Sequence, residues 1–218
     1  MQTYEVWTTR MSKQRLREHV AWLRRGRKGA GRLEVRDANL RNAELVAEAS
    51  FARFEQCDLS RCKFHLNDLQ GVELVECVGT EPSFLASRLD GATISRCAFE
   101  AANFGGVFLT SAHISASRFA ALRAERMTLS QASITNCDLR GALFEDFVAE
   151  HAKFIECDLR NAVLRRHDRV LDLARLYDSE LVGCDLRDSV FDGLRLRGTK
   201  FIRCRMHGIQ GNGTCQRV

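Results

Sequence analysis

The sequence predicts an all-β fold, a chain wound into a coil of four short sides with twenty residues per turn and a single helix ahead of it. Three observations predict this. Counting every fifth residue from Phe54 to Leu164 gives 23 positions, and twenty of them are Leu, Ile or Phe, the exceptions being Gly79, Ala124 and Ala149. Two places before each lies Ala, Cys or Ser in sixteen of the 23 cases. A helix repeats every 3.6 residues and a strand every two, so a strict period of five belongs to neither; it belongs to a chain that turns a corner every five residues. The third observation is a longer interval. Cys57, Cys77, Cys97, Cys137 and Cys157 follow one another at steps of twenty, twenty, forty and twenty, with Ser117 in the vacant place, and Cys184 and Cys204 are again twenty apart.

Sorting the same positions by twenty shows that four sides close one turn. One column reads Phe54, Leu74, Ile94, Ile114, Ile134, Phe154. A second reads Phe64, Phe84, Phe104, Ala124, Phe144, Leu164, and a third Leu69, Leu89, Leu109, Leu129, Ala149. The fourth is the column that follows the cysteines. Like falls on like, as stacked turns require.

Taken in chain order, residues 1–36 form a basic N-terminal extension with the helix. In "SKQRLREHVAWLRRG", Ser12 reads as the N-cap, Leu16, Val20 and Leu23 as the apolar face, and Gly26 as the stop. His19 reads as a residue on the helix surface. The coil is expected over 37–206. It runs one residue short of phase at 46–53, and a local bulge is expected at "GTEP", 79–82. The step from Leu164 to Leu176 is twelve, seven more than one side. If residues 165–171 loop outward, Leu176, Phe191 and Cys184 rejoin their own columns. A projecting loop carrying Arg165, Arg166, His167, Asp168 and Arg169 is therefore expected, as the candidate for binding a partner. Residues 207–218 form a Gly-rich tail.

Nine cysteines invite thoughts of metals or a nucleophile, but eight of them fall on the small position, where Ala or Ser also serves. Free Cys behaves as a small buried hydrophobe. Neighbouring turns would bring cysteine Cα atoms about 4.8 Å apart, within disulfide range, yet their side chains would run parallel. The odd thiol is Cys215, in the tail. The odd cysteine count and the lack of an apolar leader in the opening residues point to a reducing, cytoplasmic setting. No apolar run approaches the roughly 18 residues that a membrane span needs.

The net charge of +5 is uneven: +7 over residues 1–36, −6 over 37–164 and +4 over 165–218. The six histidines show no metal-ligand spacing and no Gly-rich phosphate loop is present, so neither metal, cofactor nor catalytic residue is expected. Apolar residues at outward phases, Leu85, Phe108, Leu143, Val148, Ile155 and Val163, are candidates for a contact surface; Phe108, Leu143, Val148 and Val163 lead that group. Direct nucleic-acid binding is not expected, since no stacking array accompanies the basic N-terminal segment.

"ANLRN" at 38, "ANFGG" at 102, "CDLRG" at 137 and "CDLRN" at 157 resemble the motif of the pentapeptide-repeat family, Ala-(Asp/Asn)-Leu-x-x. The resemblance implies a right-handed quadrilateral β-helix, with the central Leu or Phe and the small residue two before it pointing inward. "LREHVAWLRRG" resembles the helix that caps the first coil in that family. The family's best-defined activity is protection of DNA gyrase or topoisomerase IV from poisons such as quinolones or peptide antibiotics. Members that do so are usually homodimers resembling B-form DNA in width and negative charge. The resemblance thus implies a protein partner, with gyrase or topoisomerase IV one form of it. The chain departs from that group in its positive net charge and in lacking a helical tail after Met206.

Overall fold

The computed structural model describes the backbone of residues 5–6, 9–45, 48–167 and 174–211, with side chains described from Gln14 onward. It is a β-solenoid of about eight turns with one helix near the N-terminus. Three-residue strands form its longest sheet, nine strands in parallel register. Val35, Phe54, Leu74, Ile94, Ile114, Ile134, Phe154, Leu181 and Phe201 stand at their centres. We call this side 1 and number the others in chain order. Side 2 holds the centres Leu59, Gly79 and Phe99, side 3 Phe64, Phe84 and Phe104, and side 4 Leu69, Leu89 and Leu109. Sides 2 to 4 are stitched mainly by single parallel bridges such as Asp58↔Val78, Ser83↔Asn103 and Arg88↔Phe108.

The inward set follows the five-residue period. Every central residue from Phe54 to Leu164 other than Gly79 is counted in the buried apolar core, with the small residues between them. Phe64 stacks on Phe84 at 4.8 Å between ring centres, and Phe84 on Phe104 at 4.9 Å, close to the spacing of adjacent strands. The column breaks at Ala124 and the core answers locally: Leu122, two places earlier, takes a large inward side chain where a small one is usual. Phe147 does the same before Ala149, and all four residues are buried. The exchange at Ala124 is incomplete. A cavity of about 30 Å³ remains among Phe104, Leu109, Phe119, Leu122, Met127 and Phe144.

Corners recur at the second residue after each centre, and those residues take positive φ, as at Gln56 (54°), Arg61 (54°), Leu66 (54°) and Glu76 (54°). Only some are glycine or asparagine, the types that tolerate this region without strain. Gly71 is needed for a second reason: a Cβ there would lie 2.5 Å from the Phe51 ring.

The register locates the departures from regularity. Arg53 pairs with Glu34, nineteen places back, whereas Glu73 pairs with Arg53, twenty places back. Leu45 bonds toward Phe64 through Lys63 and Ala49 toward Leu69 through Asp68, so the short side lies between Leu45 and Ala49. No bulge occurs at 79–82, contrary to expectation. Val78–Thr80 pairs with Ala98–Glu100 at the ordinary interval. Pro82 gives up only a turn bond of the kind Cys62 N–H makes to Leu59 O, and its own carbonyl still accepts from Asn103 N–H. The coil is also longer than 37–206: it starts at the strand Glu34–Arg36 and its pairing continues to Gln210.

The helix α1 spans Thr9–Arg24, so Ser12 lies inside it rather than capping it. It ends where expected. Gly26 N–H donates to Leu23 O and Arg27 N–H to Trp22 O, with positive φ at Gly26, the double bond of a Schellman ending. Its buried residues are His19 and Trp22; Leu16, Val20 and Leu23 are all half-buried, and Leu16 packs against the core of the coil. The strand Glu5–Val6 pairs with Ala38–Asn39 on the first turn.

Candidate functional site

The core leaves little for chemistry. The eight described cysteines are free thiols, seven buried and Cys204 half-buried. Those in the column do one repeated thing. The thiols of Cys57, Cys77, Cys97, Cys137, Cys157, Cys184 and Cys204 each donate to the carbonyl of the side 1 centre one turn below, at 3.2 to 3.7 Å. Other polar residues on the small position do likewise: Asn67 Nδ2 reaches Leu45 O, Ser87 Oγ Phe64 O, Ser179 Oγ Ala149 O and Thr199 Oγ1 Leu176 O. A short donor is thus satisfied at this position, which is why Cys, Ser, Thr and Asn interchange there. Burial pushes the Cys62 thiol up to about 12, which makes it a poor nucleophile. Among the described residues no group of His, Cys, Asp and Glu is placed to hold a metal ion, and no helix is long and apolar enough to cross a membrane.

His19 is not on the surface. It is fully buried, its Nδ1 accepts from Leu33 N–H at 3.0 Å, and its Nε2 contacts Ser50 O at 2.9 Å. An Nδ1 that accepts leaves the proton on Nε2, so the ring is the neutral tautomer donating to Ser50. Burial lowers its pKa. The helix is therefore docked on the first turn by a polar pin through backbone groups, with Trp22 stacked against it at 5.4 Å.

Many charges on the outer sides are paired between turns. Arg36 reaches Glu55 at 3.2 Å, Arg61 Glu81 at 3.3 Å, and Arg96 Glu76 at 2.8 Å. The Cys-Asp-Leu-Arg segments build a ladder on side 2. Asp138–Arg140, Asp158–Arg160 and Asp185–Arg187 are each closed at 2.7 Å, with longer contacts from Arg140 to Asp158 and Arg160 to Asp185. The guanidinium of Arg140 holds the Asp138 carboxyl below its ordinary value, and Arg187 does so for Asp185.

The expected loop lies two residues further on than 165–171. Arg165 pairs with Asp192 in register and its side chain meets Glu145, Nε to Oε1 2.6 Å. Arg166 still bonds Asp192 O through its N–H and packs its side chain on Gly193. Val148 pairs with Arg175 rather than with the residue twenty places on, so seven extra residues, 167–173, fall between Arg166 and Ala174. Arg165 and Arg166 thus belong to the coil, His167 stands exposed where the chain leaves it, and Asp168 and Arg169 lie outside the described residues. One anchor had not been foreseen: Asp146, a buried corner residue, accepts His167 N–H at 2.8 Å.

Of the apolar candidates Phe108 and Leu85 are exposed, at 49% and 41%. Leu143, Val148, Ile155 and Val163 are half-buried, because each has a bulky neighbour in the same ladder; Leu143, for example, stands between Arg123 and Val163. Leu66, the most exposed at 82%, was missed, though its outward corner phase could have shown it. Leu66 N–H bonds Leu85 O, Leu85 covers Gly105 on the next turn, and Phe108 follows on that turn after Gly106 and the buried Val107, with Arg88 directly beneath it. Leu66, Leu85 and Phe108 make an apolar group at the corner between sides 3 and 4.

Residues 128–166 and 171–208 match the description "Pentapeptide repeats", in eight copies, so these segments are pentapeptide repeats. The gap between the two matched stretches falls at the seven extra residues. No curated protein matches the chain. Among solved structures, the chain is similar to HetL, a pentapeptide repeat protein involved in heterocyst differentiation regulation from the cyanobacterium Nostoc sp. strain PCC 7120. The identity is 19%, the match covers 88% of this chain and 92% of that one, and the TM-score is 0.39. It is also similar to full-length QnrB1, a plasmid-mediated fluoroquinolone resistance protein: 16% identity, 84% and 92% coverage, TM-score 0.48.

Proposed function

We propose that this pentapeptide-repeat rod is a non-catalytic binding or scaffold protein that works by contact with another protein through its outer sides. The observation that carries the reading is the exposed apolar group of Leu66, Leu85 and Phe108, on successive turns of a surface that elsewhere carries many ion pairs between turns. Single exposed hydrophobes are ordinary, but three at one corner on successive turns, bordered by polar residues, are what a protein contact uses. The inward positions are taken up by packing and by donors satisfied within the coil, so function is left to the outer residues.

A photo-crosslinking residue at Leu85 or Phe108 tests this. It should capture a protein, or a second copy of the chain, and the capture should fail when Leu66→Asp is added; one at the matched Glu76 should capture nothing. Equal labelling at all three positions would refute the reading.

The narrower reading, binding of DNA gyrase or topoisomerase IV, is supported by the rod and by the seven extra residues. A mimic of DNA works through unneutralised negative charge, and here outer carboxylates meet arginines turn after turn, which favours a different partner. A supercoiling assay with and without a gyrase poison decides it. Rescue of supercoiling by the purified protein would restore the narrower reading, and no effect in either arm would remove it.

A further inference from the structure

We infer that the core of the coil holds a binding site for a small apolar gas molecule, about the size of dioxygen. The site is the cavity of about 30 Å³ among Phe104, Phe119, Leu122, Met127, Leu129 and Phe144. Protein interiors leave few voids larger than a water molecule. This one exceeds the roughly 10–15 Å³ that a water-sized guest requires.

The repeat explains why the void falls here. The side 3 column runs Phe64, Phe84, Phe104 and resumes at Phe144, so Ala124 omits one ring from the stack. Before Ala149 the large residue turned inward is Phe147; before Ala124 it is Leu122. An isobutyl group fills less space than a phenyl ring, and the difference remains as a void. The coil does not close it along its axis, because backbone pairing fixes the turns at strand spacing. Asn103 pairs with Arg123, and Arg123–Glu125 with Leu143–Glu145, in unbroken register.

The lining decides what enters. It consists of aliphatic, aromatic and thioether side chains, all of them buried. The backbone groups beside it are spent between and within turns. Leu122 O accepts from Leu143 N–H at 2.8 Å, Met127 O from Val148 N–H at 2.9 Å, and Leu129 O from Ala132 N–H at 3.0 Å. A water held inside a protein needs roughly two to four polar partners, which this lining does not offer. An apolar guest forfeits no hydrogen bond, and it restores dispersion contacts that atoms lining a void go without. The Met127 sulfur and the aromatic rings are polarizable partners for it. Volume sets the upper limit. Benzene fits a cavity on the order of 150 Å³, so monatomic and diatomic gases are the class this site takes.

Methyl NMR of the full chain under dioxygen pressure tests the inference, with dinitrogen at the same pressure as the diamagnetic blank. Paramagnetic dioxygen should speed relaxation of the Leu122 and Met127 methyls several-fold more than that of Leu59, Leu74 and Leu186, which are buried outside the cavity lining. Leu122→Phe places in the void the ring that Phe147 supplies before Ala149, and should bring the Met127 methyl down to the level of those controls. Leu122→Met, close to volume-conserving, should lower it in part, so the test does not hang on one variant folding. Leu122→Ala should raise the effect at Met127 and let benzene increase the melting temperature, which it should not do for the wild type. Equal relaxation at cavity and control methyls, an enhancement at Met127 that survives Leu122→Phe, or cross-relaxation between water and the Leu122 methyls would overturn the inference.

Discussion

Acidification should weaken the protein through His19. The side chain is fully buried, with Nδ1 facing the Leu33 N–H and Nε2 donating to Ser50 O. A proton added at Nδ1 would put two donors head to head, and burial, the largest influence, lowers the pKa by disfavouring a charge in the interior; the Ser50 carbonyl and Glu48 act in the opposite direction and Arg32 in the same one. The sign follows from linkage. The unfolded chain takes up the proton near pH 6.5 and the folded chain resists it. The contribution is therefore complete above pH 6.5 and is lost as pH falls from there toward the folded value. A folded His19 that stays neutral loses about 1 kcal/mol between pH 6.5 and 5.5, with a limiting slope of about 1.4 kcal/mol per pH unit. Urea unfolding at pH 7.5, 6.5 and 5.5 measures it, beside hydrogen exchange at Leu33 N–H. His19→Gln should be less stable at pH 7.5 and should flatten the slope below pH 6.5. A slope unchanged in that variant, or a Leu33 amide that exchanges as fast as free loop residues at pH 7.5, would refute the reasoning.

Leu122→Ala should destabilise by about 2–4 kcal/mol because it enlarges a cavity that already exists, and adding Ala124→Phe should recover part of that by continuing the phenylalanine column, both read from unfolding curves. Asp146→Ala should cost about 1–3 kcal/mol, since it removes the buried acceptor of His167 N–H. It should also raise proteolysis between Arg166 and Ala174, and unchanged cleavage there would deny Asp146 its anchoring part. Gly71→Ala should cost about 1–3 kcal/mol by driving a methyl into the Phe51 ring, and Phe51→Ala should relieve most of the added strain in the double variant, as a thermal melt would show.

The inward half of this molecule was legible because each turn repeats the last. A position every five residues and a column every twenty are statements about sequence alone, and they carried the four sides, the one-residue shortfall within 46–53 and the number, though not the exact position, of the seven extra residues. What the pattern hid was the interchange between its two inward places. Ala124 and Ala149 looked like gaps in a column until Leu122 and Phe147 were seen to fill them from two residues away. His19 was hidden for a different reason. Its partners are a backbone N–H and a backbone carbonyl, which leave no mark on composition, and Leu16, Val20 and Leu23 suggested a face rotated from the one that docks. The outward residues were legible in phase and illegible in exposure. Phe108 and Val148 hold the same place in the repeat, yet Phe108 is exposed between Arg88 and Thr128 while Val148, between Thr128 and Arg175, is half-covered.

The cysteines show why so regular a fold says so little about chemistry. A thiol at the small inward place is satisfied by a carbonyl one turn below, and at Ser117, Ser87 and Thr199 a hydroxyl takes the same place in the repeat with a backbone carbonyl as its acceptor. The repeat therefore selects for size and a short donor, and packing alone accounts for a long row of cysteines.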